Sequence, residues 1–89
     1  MVTIEFAASL RSHVDCPPQQ VAAGTLRAAL DAALAAAPAL AHYVLDDQRC
    51  VRKHVAVFVN RQLLRDRCAL ELPLADGDRV LVVQALSGG

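Results

Sequence analysis

The first third of the chain alternates between apolar and polar residues and predicts a strand hairpin. Val2-Thr3-Ile4-Glu5-Phe6 places its apolar side chains on one face and its polar side chains on the other, as in a half-buried strand. Residues 7–18 contain serines, an aspartate and two prolines and predict a loop. Residues 19–23 predict a weak second strand, close enough along the chain to pair with the first as a hairpin.

Helical spacing replaces this alternation after Gly24. Thr25 is a candidate N-cap, because its hydroxyl can accept a hydrogen bond from an amide of the first helical turn. Pro38 predicts the end of the helix, since proline lacks the amide hydrogen that a helix interior needs. Residues 39–44 predict a further short helical turn. The apolar positions that predict the main helix are Leu26, Leu30, Ala33, Leu34 and Ala37.

Two further strands are predicted in the second half of the chain, after a polar connector of residues 46–54. The first strand spans residues 55–60 and the second spans residues 79–86. The segment Ala75-Asp76-Gly77-Asp78 predicts the turn before the last strand, with glycine supplying a positive φ. Between the two strands, a short edge segment is predicted from the alternating Leu70, Leu72 and Leu74.

Both late strands are apolar on both faces, although one helix covers only one face of a small sheet. Two interpretations remain open. Either the loop of residues 61–74 covers the second face, or that face docks a partner, because monomers seldom expose large apolar patches. Phe58, Leu81 and Val83 are the candidate docking residues, and the pattern leaves open which parity faces outward.

Composition and charge narrow the possible functions. The 89 residues are 55% hydrophobic but only 3% aromatic, which predicts one domain with an aliphatic core. Nine basic and nine acidic residues cancel and give no electrostatic case for nucleic acid or an anionic membrane. Three widely spaced cysteines, Cys16, Cys50 and Cys68, favour reduced thiols over a disulfide framework. With no signal peptide and no long apolar stretch, the expected location is cytoplasmic.

The last four residues, Leu86-Ser87-Gly88-Gly89, directly follow the last predicted strand. Glycine has no Cβ, so a diglycine tail can enter a narrow channel and deliver its terminal carboxylate to another protein's active site. At average glycine usage, two terminal glycines occur by chance in roughly one chain in 200. Since nothing in residues 87–89 can hold them to a core, we expect this tail to be disordered in the free protein and ordered in an enzyme's channel.

Three motifs occur in order along the chain: VFVN at residues 57–60, LADGDRV at residues 74–80 and the terminal Gly88-Gly89. With the order strand, strand, helix, strand, strand, the whole chain resembles the MoaD/ThiS family of ubiquitin-like sulfur carriers, most closely its CysO-like and MoaD-like members. The expected fold is α+β, a β-grasp domain of residues 1–86 with a mixed sheet of about four to five strands and one main helix. Arg61 departs from the family, which commonly has glycine there, as does the Gln84-Ala85-Leu86-Ser87 approach to the diglycine.

The resemblance implies a chemistry for the tail. A carboxylate is a poor electrophile, so an E1-like enzyme would use ATP and Mg²⁺ to adenylate Gly89. A sulfur donor would then displace AMP and leave a Gly89 thiocarboxylate, with Gly88 keeping the approach to the carbonyl slim. A sulfur-accepting synthase would consume the sulfur, and molybdopterin, thiazole, cysteine and secondary metabolites all remain open as its destination. The chain would bind no cofactor and act as a carrier or a synthase's small subunit, not as an enzyme.

The same resemblance implies a docking surface for the activating enzyme. We expect it to be the sheet face away from the helix, together with the start of the tail. The expected partner-binding residues are Phe58, Leu81, Val83, Leu86 and Ser87.

Two other functions are compatible with the residues. The chain is a modifier if Gly89 ends in isopeptide bonds to lysines, although the single lysine, Lys53, limits chain building on itself. It is a non-covalent β-grasp interaction module if the diglycine is incidental. A metal site is not expected, because His13, His42 and His54 have no zinc-ligand spacing with one another or with the cysteines.

Overall fold

The strands assemble into one five-stranded sheet in the computed structural model, which describes residues 1–7 and 17–84. The order across the sheet is β2-β1-β5-β3-β4. β1 and β5 run parallel, and the other neighbouring pairs are antiparallel. The strands are β1 (Val2–Phe6), β2 (Gln19–Val21), β3 (Val55–Val59), β4 (Gln62–Leu63) and β5 (Arg79–Gln84), and the helices are α1 (Leu26–Ala35) and α2 (Pro38–Val44).

This arrangement is the predicted β-grasp fold, with a mixed sheet and one main helix. The predicted hairpin forms, since Val2 pairs with Val21 and Ile4 with Gln19. β3 is one residue shorter than predicted, because Asn60 already belongs to the following turn. β5 is described as far as Gln84, so the end of the last predicted strand at residue 86 lies outside the described residues.

Helix α1 begins where its N-cap was predicted. The Thr25 hydroxyl accepts a hydrogen bond from the Ala28 amide at 3.2 Å. The helix ends at Ala35, earlier than predicted, and Pro38 begins α2 instead of only ending α1. The physical reason is that proline is well suited to the first turn of a helix, where no partner exists for an amide hydrogen. The buried side of α1 consists of Leu26, Ala29, Leu30, Ala33 and Leu34.

The segment that joins β4 to β5 packs beside the start of α1. The amides of Leu26 and Arg27 donate to the carbonyls of Leu72 and Leu70, each at 2.8 Å, so this segment satisfies helix amides that have no partner within α1. Leu70 and Leu74 are buried, whereas Leu72 is 42% exposed. The prediction of an edge strand here is therefore wrong. Leu70 has a φ of 55°, which interrupts an extended conformation.

One aliphatic core lies between the sheet and the two helices. β1 contributes Val2, Ile4 and Phe6, all at most 1% exposed. β3 contributes its three valines, and Val80 and Val82 come from β5. Leu70 and Leu74 belong to the same cluster, so the joining segment packs on the helical side of the sheet. The interpretation that the loop of residues 61–74 covers the second face is thus wrong for this packed part of the loop, while Gln62–Leu63 at its start extends the sheet as β4.

A disulfide joins Cys50 of the connector to Cys68 of the β4–β5 segment. The expectation of reduced thiols is wrong for this pair, and Cys16 lies outside the described residues. Neither cysteine is fully buried, so both also differ from the small buried hydrophobes that free cysteines commonly are. The pairing was not visible in the sequence, because the two residues are 18 positions apart and only the packing of two irregular segments brings them together.

In the described part of the chain, no helix has the length and apolarity needed to cross a membrane.

Candidate functional site

Strand alternation decides which side chains face away from the helices. Val57 and Val82 are buried in the core, so Phe58, Leu81 and Val83 lie together on the opposite surface of the sheet. The structure thus assigns the outward parity that the sequence left open. The open face, as this surface is called below, consists of Thr3, Glu5, Ala56, Phe58, Leu63, Leu81 and Val83.

A row of paired residues crosses the open face at right angles to the strands. Leu81 of β5 lies between Glu5 of β1 and Phe58 of β3, and Phe58 in turn pairs with Leu63 of β4. Phe58 is half-buried, while Leu81 is 37% and Leu63 57% exposed. Because neighbouring strands are about 4.8 Å apart, the three apolar side chains form one continuous strip. A second pair, Val83 and Ala56, extends the strip along the strands.

A shallow depression of about 580 Å³ lies on the open face beside this strip. Arg61 and Arg79 contribute positive charge to its lining, and Glu5 contributes a negative charge. Neither arginine side chain makes a hydrogen bond or ion pair with a described residue. An apolar centre with a polar, charged rim is the usual arrangement of a protein–protein interface. The depression is lined by Thr3, Glu5, Phe58, Asn60, Arg61, Arg79, Val80 and Leu81.

Two turns at the rim are joined by side-chain hydrogen bonds. The Asn60 side chain donates to Asp78 Oδ1 at 3.0 Å and accepts from the Arg79 amide at 3.0 Å. Asp78 Oδ2 also accepts from the Ala75 amide at 2.8 Å. The hydrogen bond from Ala75, and next the one from Asn60, lower the pKa of the Asp78 carboxyl below its ordinary value. Asp78 therefore stays ionised and fixes the turn from which β5 begins.

The predicted tail residues, Leu86, Ser87, Gly88 and Gly89, lie outside the described residues. Their point of departure is defined, because β5 is a central strand and Gln84 pairs with Val55 at its end. Val83, on the open face, is the neighbour of this last described residue. The proposed docking residues that the structure describes thus lie on the same strand that leads to the tail.

The other candidate residues do not converge on a chemical site. His54 packs edge-on against Tyr43, with ring centroids 4.8 Å apart. His42 is at the end of α2, and His13 lies outside the described residues. Within residues 1–7 and 17–84, no group of three or more histidine, cysteine, aspartate or glutamate side chains is placed to hold a metal ion.

Among the residues that sequence reasoning did not single out for docking are Leu63 of the open face and Arg61 and Arg79 of the depression beside it. The signal for Leu63 was the two-residue turn at Asn60 and Arg61. A two-residue hairpin loop fixes the register of its flanking strands, and this register sets Leu63 opposite Phe58. The two arginines carried no comparable signal, because a charged residue at a strand end is equally typical of ordinary solvated surface.

Comparisons with known proteins agree with the fold. The model of the ThiS family matches residues 4–89. SAMP1 from Haloferax volcanii is 27% identical with a TM-score of 0.80, and the match covers 99% of this chain and 98% of that one. CysO from Mycobacterium tuberculosis is 24% identical with a TM-score of 0.77, covering 97% of this chain and 100% of that one. The BexX/CysO complex of Amycolatopsis orientalis gives 24% identity and a TM-score of 0.76, covering both chains fully. No functionally curated protein sequence matches significantly.

Proposed function

Because the chain belongs to the ThiS family, whose members are small ubiquitin-like sulfur carriers, we propose that it carries sulfur as a thiocarboxylate on Gly89. The observation that supports this most directly is that the family match runs to residue 89 and so includes the terminal Gly88-Gly89. The chain acts in this scheme as a co-substrate in the cytoplasm and supplies no catalytic acid or base.

The chemistry begins with activation of the terminal carboxylate. An E1-like partner binds ATP and Mg²⁺, and a Gly89 carboxylate oxygen attacks the α-phosphate, forming an acyl-adenylate and releasing pyrophosphate. A sulfur donor then attacks the acyl carbon, and AMP leaves. The resulting thiocarboxylate is nucleophilic at sulfur, and its tether to a protein holds it in position for a sulfur-accepting synthase.

The open face is the surface on which the activating enzyme docks in this proposal. Its apolar strip of Phe58, Leu63 and Leu81 offers area for burial, and the strand that carries Leu81 leads directly to the tail. The five residues after Gln84 span at most about 18 Å when fully extended. The enzyme that binds the open face must therefore hold its adenylation site within that distance of the end of β5.

One experiment tests the proposed reaction directly. The full chain is incubated with ATP, Mg²⁺, an E1-like enzyme and a sulfide source, and its intact mass is measured. We expect replacement of one oxygen by sulfur in the wild type and no such product after deletion of Gly89. The matched control is a variant without cysteines, Cys16→Ser with Cys50→Ser and Cys68→Ser, which keeps the tail and is expected to react.

The mass itself separates the tail from the cysteines. A cysteine persulfide adds a sulfur atom without loss of oxygen and is removed by a reductant. If the Gly89 deletion still exchanged oxygen for sulfur, or if only the cysteine-free variant failed to gain sulfur, the proposed function would be wrong.

A second candidate function is protein modification through Gly89. The similarity to SAMP1 favours it, because that protein is described as a small archaeal modifier protein. Both functions need adenylation of Gly89, so the test is the fate of the activated chain. Isopeptide-linked products at lysines, found by digestion and mass spectrometry, would show modification, whereas a carrier yields the thiocarboxylate alone.

A further inference from the structure

The disulfide between Cys50 and Cys68 lies away from the open face. Cys50 belongs to the connector between α2 and β3, and Cys68 to the segment between β4 and β5. Their Cα atoms are 4.1 Å apart, slightly closer than the usual separation of about 4.4–6.8 Å in bridged cysteines. Both segments pack on the helical side of the sheet, next to the first turn of α1.

Contacts that do not involve sulfur already hold these two segments together. The Arg27 guanidinium donates to the carbonyl of Arg49, next to Cys50, and to the carbonyl of Cys68 itself. The Val51 amide donates to the carbonyl of Arg67 at 2.7 Å. The Arg67 side chain in turn donates hydrogen bonds to the carbonyls of Arg52 and Val55. Reduction of the disulfide thus leaves the two thiols held close together. Once an external disulfide has oxidised one of them to a mixed disulfide, the other attacks it in an intramolecular reaction.

The two cysteine residues differ in their access to solvent. Cys68 is exposed, whereas Cys50 is half-buried. An external thiol therefore reaches Cys68 first, and Cys50 is the leaving group on reduction. Access of this kind distinguishes an exchangeable disulfide from a buried structural one.

We propose that Cys50 and Cys68 form a reversible dithiol–disulfide site that responds to the thiol redox state around the protein. Reversibility rests on the cytoplasmic setting of the proposed function, because disulfides in that compartment are transient or redox-sensing. For oxidation, the Cys68 thiolate attacks a low-molecular-weight disulfide, forms a mixed disulfide and releases one thiolate. The Cys50 thiolate then attacks Cys68 Sγ and releases the second. The cysteine pair loses two protons and two electrons, which leave on the two released thiols.

The proposal is tested by equilibrating the full chain in buffers with different ratios of reduced to oxidised glutathione, then quenching with an alkylating agent. The three cysteines are all alkylated in the reduced protein, and we expect Cys16 alone to be alkylated in the oxidised protein. Cys16→Ser should keep the transition, and Cys50→Ser should abolish it. Alkylation of all three cysteines at every ratio, or a disulfide that opens only after unfolding in denaturant, would overturn the proposal.

A positioning role for Arg27 gives a second readout. Arg27→Lys keeps the positive charge but cannot hold the carbonyls of both segments in the same geometry. We expect its reoxidation by glutathione to be severalfold slower than in the wild type, with unchanged thermal stability of the sheet in the reduced state. An unchanged rate would contradict preorganisation by Arg27.

Neither measurement needs a partner enzyme. A failed redox transition leaves the Gly89 reaction unaffected, and a chain with a normal redox transition that never becomes thiocarboxylated contradicts the proposed function alone.

Discussion

At the residue scale, the least expected backbone feature is Arg61, whose φ is 73° beside Asn60 at 50°. The two residues connect β3 to β4 as a two-residue turn, since Val59 pairs with Gln62. Such turns need positive φ at both central positions. Asparagine and glycine adopt a positive φ readily, whereas arginine does so only at an energetic cost. The left-handed conformation costs a residue of this type about 1 kcal/mol or more. That cost lies at the rim of the open face, where the arginine side chain is available to a partner.

Replacement of Arg61 by glycine is therefore predicted to stabilise the free protein. Relief of the backbone cost outweighs the entropy that glycine adds to the unfolded chain, for a net gain of about 0.5–1 kcal/mol. Denaturant unfolding measures the difference. The matched control is Arg65→Gly, an exposed arginine without positive φ, which should lose stability. Equal losses in both variants would show that Arg61 carries no backbone cost.

Asp66 is the second residue whose local role has a measurable consequence. Its carboxylate accepts hydrogen bonds from the amides of Cys68 at 3.1 Å, Ala69 at 3.0 Å and Leu70 at 3.1 Å. The bond from Cys68 is the largest cause that lowers the pKa of Asp66 below its ordinary value of 3.8. A lowered pKa in the folded state contributes stability above the unfolded pKa, and that contribution is lost as pH falls through the folded pKa.

We expect Asp66→Asn to be less stable than the wild type near neutral pH, with a difference that shrinks as pH falls below about 4. Thermal unfolding at a series of pH values gives this comparison. Asp47→Asn is the control, because that exposed carboxylate accepts no hydrogen bond from a described residue, and this variant should be as stable as the wild type near neutral pH. A constant difference for Asp66→Asn would contradict the sign derived from the lowered pKa.

At the scale of the elements, the sequence was sufficient to predict those strands and helices that have a regular apolar pattern of their own. β1 follows from alternation, α1 from helical spacing and the Thr25 cap, and β3 and β5 from short apolar runs. The β4–β5 segment was not predictable in the same way, because Leu70 is buried from a left-handed conformation that no apolar pattern encodes. The candidate site residues that the structure describes, Phe58, Leu81 and Val83, were predictable as a set, since they share one face of the sheet. That this face points away from the core was not predictable, because it depends on the position of the helices.

The parity of β5 gives a prediction with an internal control. Leu81 is on the open face and 37% exposed, while its neighbour Val82 is fully buried. Leu81→Asp should keep the fold, at a cost of about 1 kcal/mol, and weaken binding to the activating enzyme by about 2 kcal/mol. Val82→Asp places a charge in the core and should cost about 4 kcal/mol or more. Circular dichroism and calorimetric titration separate the two effects, and equal unfolding by both substitutions would show that the open face is ordinary core.

At the scale of the whole molecule, the parallel pairing of β1 with β5 places Met1 and Gln84 at opposite ends of the sheet. Thr3 pairs with Arg79 and Phe6 with Val82, so both strands start at the same end of the sheet. Met1 therefore lies near the Ala75–Asp78 turn, where its carbonyl accepts a hydrogen bond from the Gly77 amide at 2.9 Å. The described part of β5 ends at Gln84, at the opposite end of the sheet. Parallel pairing of the first strand with the last requires the whole intervening chain as the crossover connection. The topology therefore follows from the order of all the elements and not from any one segment.

This separation predicts that the same added peptide has opposite effects at the two ends. A short flexible extension before Met1 starts at the end of the sheet remote from Gln84, so thiocarboxylation by the activating enzyme should proceed at the wild-type rate. The identical extension after Gly89 converts the reacting carboxylate into an amide, and thiocarboxylation should be lost completely. Because neither extension replaces a core residue, thermal stability should agree between the two within about 0.5 kcal/mol. Intact mass measured over time gives the rates, and sulfur gained by the chain extended after Gly89 would show that the reacting group lies elsewhere.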